Sequence, residues 1–361
     1  MNRIFNFSAG PCTLPLPALE AAQRELIDYR GKGMSIIEMS HRSKEYEEVH
    51  QGAIAALRRL LGVPANYKVL LLGGGATLQF SMVPMNLLAA DKSCDMTLTG
   101  AWAKKAASDA KKIGKVNVVF DGASSSFMTL PRAADLKLDP QAAYVHLTSN
   151  ETIGGVQWQE WPDTGAVPLV CDMSSDFMSR AVPVERFGLI YAGAQKNVGP
   201  AGLAIVIVRD DVLERCSDNL TAYLSYKTHA GEDSLYNTPP VFAIYFMKLT
   251  LDWLEAQGGL AWAESMAKQR SGILYDAMAR HPEFYRCPVD AHCRSAMNVV
   301  FRLPTEELEK EFLAEASARK MSGLKGHRSV GGCRASIYNA MPVEGTLALA
   351  SLMDEFAKKR G

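Results

Sequence analysis

Between residues 67 and 207, short runs of aliphatic and β-branched residues alternate with stretches whose apolar positions recur at helical spacing. That alternation is the rhythm of strand–helix–strand crossovers, which build a mostly parallel sheet buried on both faces. Seven runs read as strands: 68–72, 95–98, 116–120, 144–147, 168–171, 189–191 and 203–208. Residues 101–113 between them read as a helix. Ahead of them so do 46–61, where Val49, Ile54, Leu57, Leu60 and Leu61 share one face. This early helix is expected to pack on the sheet or on a partner chain. Beyond Pro239 the pattern lengthens into helical stretches at 241–256 and 260–280, then an extended run at 298–303. A helix after Pro304, a strand through 334–338 and a last helix at 344–359 complete a small α+β unit. The expected fold class is α/β. A large domain with a mostly parallel seven-stranded sheet spans 1–257, and a smaller C-terminal α+β domain spans 258–361, with the N-terminal segment free to pack on the latter.

Length agrees with two units, because 361 residues exceed the ~250–300 at which a single core stops growing. Apolar residues at 48% and charged residues at 22% exclude a disordered chain. Thirty-nine basic residues balance 39 acidic ones, so no global field draws the protein to nucleic acid or an anionic membrane, and anion binding must be local. Wholly apolar runs such as 203–208 fall far short of the ~20 residues of a membrane helix. The N-terminus, MNRIFNFSAGPC, has no apolar core of a secretory leader, so a cytoplasmic location is expected. Seven scattered cysteines (Cys12, Cys94, Cys171, Cys216, Cys287, Cys293, Cys333) without a C-x-x-C pair argue for free thiols and against a structural zinc site.

In open parallel sheets, ligands bind beyond the carboxyl ends of the strands, and three such places carry candidate chemistry. Gly73-Gly74-Gly75-Ala76-Thr77 joins a strand to a helix, where bare amides can hold a phosphate; a tight turn explains the glycines equally well. Asp172 follows an apolar strand, and capping the next helix is its plainer role. Lys196 stands in an almost uncharged, glycine-rich segment between two apolar strands. A surface lysine is commonplace, but burial there would lower the amine's pKa and favour its neutral, nucleophilic form. An amine to bond an aldehyde, a carboxylate to keep a pyridine nitrogen protonated and donors for a phosphate are the three requirements of pyridoxal 5'-phosphate.

Several segments carry a resemblance that runs end to end: FNFSAGP (5–11), MSHRSKEY (39–46), GGGATLQF (73–80), SNETIGG (149–155), the acid at Asp172, YAGAQKNVGPAGL (191–203), NTPP (237–240) and GHRSVGGCRASIYNAMP (326–342). With them the chain resembles the phosphoserine aminotransferase family of class V aminotransferases, whose fold is the type I pyridoxal phosphate-dependent transferase fold. By position, the resemblance implies that Lys196 and Asp172 are catalytic. It implies that Trp102 stacks on the cofactor ring, Thr152 lies near its phenolic oxygen, and Ala76, Thr77 and Gln195 hold its phosphate. Asn237 and Thr238 would reach that phosphate from the second subunit of a homodimer. His41, Arg42, His327 and Arg328 would bind the substrate's phosphate, and Arg334 its α-carboxylate; arginine's fork suits both anions.

Without the resemblance, each His-Arg pair is usually a surface accident, yet it occurs twice, the second time in a segment free of acids. Ala9 replaces a serine found in some members of the family. The resemblance implies reversible transamination between glutamate/2-oxoglutarate and 3-phosphohydroxypyruvate/phosphoserine in serine biosynthesis, and a second substrate from pyridoxine biosynthesis. A class V enzyme acting on glyoxylate, and a nucleotide-binding protein with Lys196 incidental, are the competing readings.

Overall fold

The computed structural model describes residues 3–361. Seven strands form one sheet in the spatial order Tyr67–Gly73, Leu203–Arg209, Leu189–Gly193, Leu169–Asp172, Val145–Thr148, Ser93–Leu98, Lys115–Asp121. All seven expected strands are present, extended by one or two residues at their ends or shifted by one. Six point the same way, while Leu203–Arg209 runs antiparallel to both of its neighbours. Only residues 194–202 separate it from Leu189–Gly193, too few for the dozen or more that a parallel crossover takes. The return loop therefore turns back at the carboxyl edge of the sheet, and Lys196 lies in that loop.

Successive side chains of a strand leave on opposite faces, and the two sides of this sheet are both apolar. Val69, Leu71, Ile205 and Ile207 enter one core with the Lys44–Leu61 and Val241–Gln257 helices. Leu70, Leu72, Val206 and Val208 enter the other with Phe80, Met82, Ala106 and Ala110 from the Gly75–Leu87 and Ala101–Ile113 helices. The Lys44–Leu61 helix starts at Ser43, whose hydroxyl accepts from Tyr46 N, and ends at Gly62 in the left-handed region (φ 63°). It packs along the Val241–Gln257 helix, in the core that both share with this face of the sheet.

A separate apolar cluster gathers Phe301, Phe312, Leu349 and Phe356 from the Asn298–Phe301 strand and the Glu306–Ala318 and Val343–Arg360 helices. Its aromatic rings meet edge to face, Phe301 on Phe312 at 5.7 Å and Phe312 on Phe356 at 5.4 Å. Phe7 is buried in the same cluster, and the two-residue strand Phe5–Asn6 pairs with Met321–Ser322. Among the described residues, no helix is long and apolar enough to cross a membrane.

Candidate active site

Five chain segments converge on one cavity at the carboxyl edge of the sheet, lined among others by Gly74, Ala76, Thr77, Trp102, Thr152, Asp172, Gln195 and Lys196. Of the expected cofactor residues, only Asn237 and Thr238 are not in its wall. At one end the Gly75–Leu87 helix begins after Gly74 (φ +89°), with no side-chain cap and no acid in its first turn. The free amides there, with the helix dipole behind them, favour an anion.

Asp172 is the last residue of its strand rather than the one after it, and it caps no helix. Its Oδ1 accepts from the amide (2.9 Å) and the hydroxyl (2.6 Å) of Ser174, so both bonds fall on one oxygen. Burial pushes the carboxyl above its usual range, while the two Ser174 donors and Lys196 pull the other way. Lys196 is buried, and its Nζ donates to Thr152 Oγ1 at 2.6 Å. Removal from water brings the amine down to about 8 against the opposing pull of Asp172 and Glu151. The same Nζ lies 5.6 Å from the centroid of the Trp102 ring.

Two donors on the cavity wall, Trp102 Nε1 and Thr148 Oγ1, are buried without a hydrogen-bond partner among the described residues. Buried polar groups normally have partners, so these atoms, the anion-seeking helix end, the carboxylate and the low-pKa amine together fit pyridoxal phosphate.

The cationic residues divide. Arg334 is buried, and its Nη1 donates to Thr152 O at 3.3 Å, while its Nε has no partner. His327 lies on the loop after Leu324, its Nδ1 2.7 Å from Ser329 Oγ. Its pKa is lowered by partial burial first and then by the positive charges of Arg334, Arg328 and Lys105. The positive charges of Arg334, Arg328 and Lys105 thus converge on His327, beside the cavity wall formed by Thr152 and Trp102. His41 is elsewhere: its Nδ1 is 3.3 Å from Thr238 Oγ1, and neither residue lines the Lys196 cavity of its own chain. Arg42, beside it, is exposed. At Ala9 the backbone carbonyl accepts from Tyr338 Oη at 2.8 Å.

Two residues escaped the sequence reading. Lys105 is one turn beyond Trp102 on the same helix, with Nζ 4.4 Å from that ring's centroid; its helical offset from an aromatic was the available signal. Glu151 lies inside the SNETIGG segment, fully buried, and accepts from the amides of Trp102 (3.1 Å) and Ala103 (2.9 Å). An acid in a segment otherwise free of charge was the signal there.

Fold and site together define an aminotransferase of class V: the aminotransferase class-V family profile matches residues 4–349. Phosphoserine aminotransferase of Geobacillus kaustophilus is 54% identical over 359 residues, 99% of each chain. The solved phosphoserine aminotransferase from Bacillus circulans subsp. alkalophilus superposes with a TM-score of 0.98 at 50% identity, covering 99% of both chains. A pyridoxal-phosphate-bound phosphoserine aminotransferase from Trichomonas vaginalis gives 0.89 at 39% identity, over 97% of this chain and 99% of that one. The chain belongs to the phosphoserine aminotransferase family, pyridoxal-phosphate-dependent enzymes that transfer amino groups.

Proposed function

We propose that this enzyme transfers the amino group reversibly between L-glutamate/2-oxoglutarate and 3-phosphohydroxypyruvate/O-phospho-L-serine, as a step of serine biosynthesis. The carrying observation is the convergence of three positive charges, Lys105, Arg328 and Arg334, on His327 beside a cavity that holds a nucleophilic amine. Like charges gathered without carboxylate partners are costly unless an anion joins them, and both substrates bring two anionic groups. In this reading Arg334 takes the α-carboxylate, and His327 and Arg328 take the phosphate or the glutamate side-chain carboxylate. His41 and Arg42 of the partner subunit complete that pocket. The phosphorylated hydroxythreonine of pyridoxine biosynthesis, one carbon longer, belongs to the same reading as a second substrate.

Pyridoxal phosphate, when bound, supplies an aldehyde that bonds amines and a protonated pyridine that withdraws electrons. The amides of Ala76 and Thr77 and the side chain of Gln195 hold its phosphate, joined by Asn237 and Thr238 of the partner subunit. Asp172 keeps a proton on the pyridine nitrogen, Trp102 covers one ring face and Thr152 donates towards the phenolic oxygen. Lys196 is the residue that would hold the cofactor through its aldehyde and would carry the proton of the transfer.

A homodimer is part of the proposal. It is supported by the pairing of His41 with Thr238 outside their own chain's cavity, and by exposed Leu26, Ile27, Met34 and Ile37, an apolar group that a partner would cover. A division near 257/258 into a cofactor-binding and a closing unit is supported by the separate Phe312 core and by two successive glycines, Gly258 (φ +114°) and Gly259 (φ +67°), that break the helices there. A cytoplasmic location accords with seven unpaired cysteines.

The test is acceptor choice. Enzyme carrying the amino group on its cofactor is mixed with 3-phosphohydroxypyruvate or glyoxylate, and the return of the aldehyde absorbance is timed. Faster return with 3-phosphohydroxypyruvate is expected; preference for glyoxylate would overturn the assignment.

A further inference from the structure

The Ala101–Ile113 helix carries Trp102 in its first turn, yet nothing in its own sequence closes its N-terminus. Its N-cap is Gly100, and no acid occupies the first turn. The missing cap comes from 49 residues away: Glu151 Oε2 accepts from Trp102 N and Oε1 from Ala103 N, a two-oxygen grip on successive amides. An anion at a helix N-terminus satisfies orphan donors and meets the positive end of the dipole. Among the described residues, no salt bridge includes Glu151, so the helix end is the principal partner of this buried carboxylate.

Space for the grip is set by Gly100. A Cβ there would fall 2.5 Å from Glu151 Cδ, a distance no side-chain carbon tolerates, so the carboxylate reaches the amides only over a glycine.

Around the Trp102 ring itself, Nε1 has no partner among the described residues, Phe80 touches at a tilt with centroids 6.4 Å apart, and Lys105 Nζ stands 4.4 Å from the ring centroid. The backbone of the first turn sets the direction from which the ring enters the cavity. The next residue along, Thr152, holds the Lys196 amine. Adjacent residues of one short segment thus anchor both the aromatic wall and the nucleophile, and set the 5.6 Å between them.

We propose that Glu151 is a positioning residue, a long-range cap on the Ala101–Ile113 helix that fixes the Trp102 ring against the cofactor's ring. The proposal rests on the reading of Trp102 as the residue that covers the cofactor, and its test separates the two. Apo-protein is prepared as wild type, Glu151→Gln, Trp102→Leu and the double variant, and pyridoxal phosphate affinity is titrated by absorbance. Amide hydrogen exchange is followed for the peptide containing 102 and 103. Gln keeps the shape but turns an NH2 group towards one of the two amides. Exchange at 102–103 should accelerate, and cofactor affinity should fall about tenfold, the size of a lost cap.

The loss should nearly vanish when Glu151→Gln is made in the Trp102→Leu background, because the residue through which it acts is gone. An equal loss in both backgrounds, or unchanged exchange, overturns the positioning role while leaving the Trp102 reading intact. A Trp102→Leu protein that binds as tightly as wild type overturns both. Should Glu151→Gln fail to fold, Gly100→Ala displaces the same carboxylate without removing it and must give the same pattern of exchange and affinity.

Discussion

At the scale of single residues the chemistry is decided by removal from water. Lys196 is an ordinary amine whose ordinary value of 10.5 is brought to about 8 by burial, the positive form being the one that loses hydration. Capture of pyridoxal phosphate by apo-protein needs the neutral amine. The capture rate should rise about tenfold per pH unit below 8 and level off above it. Stopped-flow absorbance of apo-protein mixed with the cofactor across pH 6 to 11 measures this directly; a midpoint near 10.5 would place the lysine in water. Cys12, whose thiol donates to the carbonyl of Lys196 at 2.7 Å, is pushed up to about 12 by burial and stays a neutral donor across that range. Lys196 and Asp172 were legible because each comes after an apolar run in a segment poor in charge. Glu151 was not singled out, because its partners are backbone amides, which leave no mark on a sequence.

At the scale of elements, the segment 149–152 ties the sheet to its surroundings one residue at a time. Ser149 Oγ bonds Asp172 O and Asp176, and Glu151 and Thr152 act as described above. Asn150 Nδ2 donates to Ser175 Oγ and to Asn298 Oδ1, both at 2.7 Å, and its Oδ1 accepts from Ser295 at 2.6 Å. Asn150 thereby bridges the sheet to the Asn298–Phe301 strand. Asn150→Ala leaves buried groups on both sides unpaired and should destabilise the protein by about 2–4 kcal/mol. Urea denaturation of the apo-protein would show a lower midpoint with an unchanged slope; a shift within error would mean the network contributes nothing.

Many helices and strands were readable in advance, down to both ends of Ala101–Ile113, whereas the ten-residue helix Leu16–Glu25 was not among those expected. The Phe5–Asn6 pairing with Met321–Ser322 was not, since two residues have no period and the partner strand is some three hundred positions away.

For the whole molecule, the separation of His41, Thr238 and Asn237 from the cavity of their own chain leads to a complementation experiment. Lys196→Ala and Arg42→Ala chains, each inactive alone, should recover roughly a quarter of wild-type activity when co-expressed. Half of the dimers would be mixed, and each of these would hold one intact site. Purifying the mixed dimer by two different tags and assaying phosphoserine turnover checks it; no recovery would mean that each chain completes its own site.

The order of apolar runs and glycine turns in this sequence determined an α/β chain with seven sheet strands, and the placement of Lys196 and Asp172 after apolar runs pointed to the chemistry. Both depend on local composition, which is what a linear pattern records. Tertiary structure alone decided which cations meet at the cavity, that Glu151 closes a helix far along the chain, and how deep Lys196 lies. Those depend on distances between segments remote in sequence and on the local dielectric, and neither exists until the chain has folded.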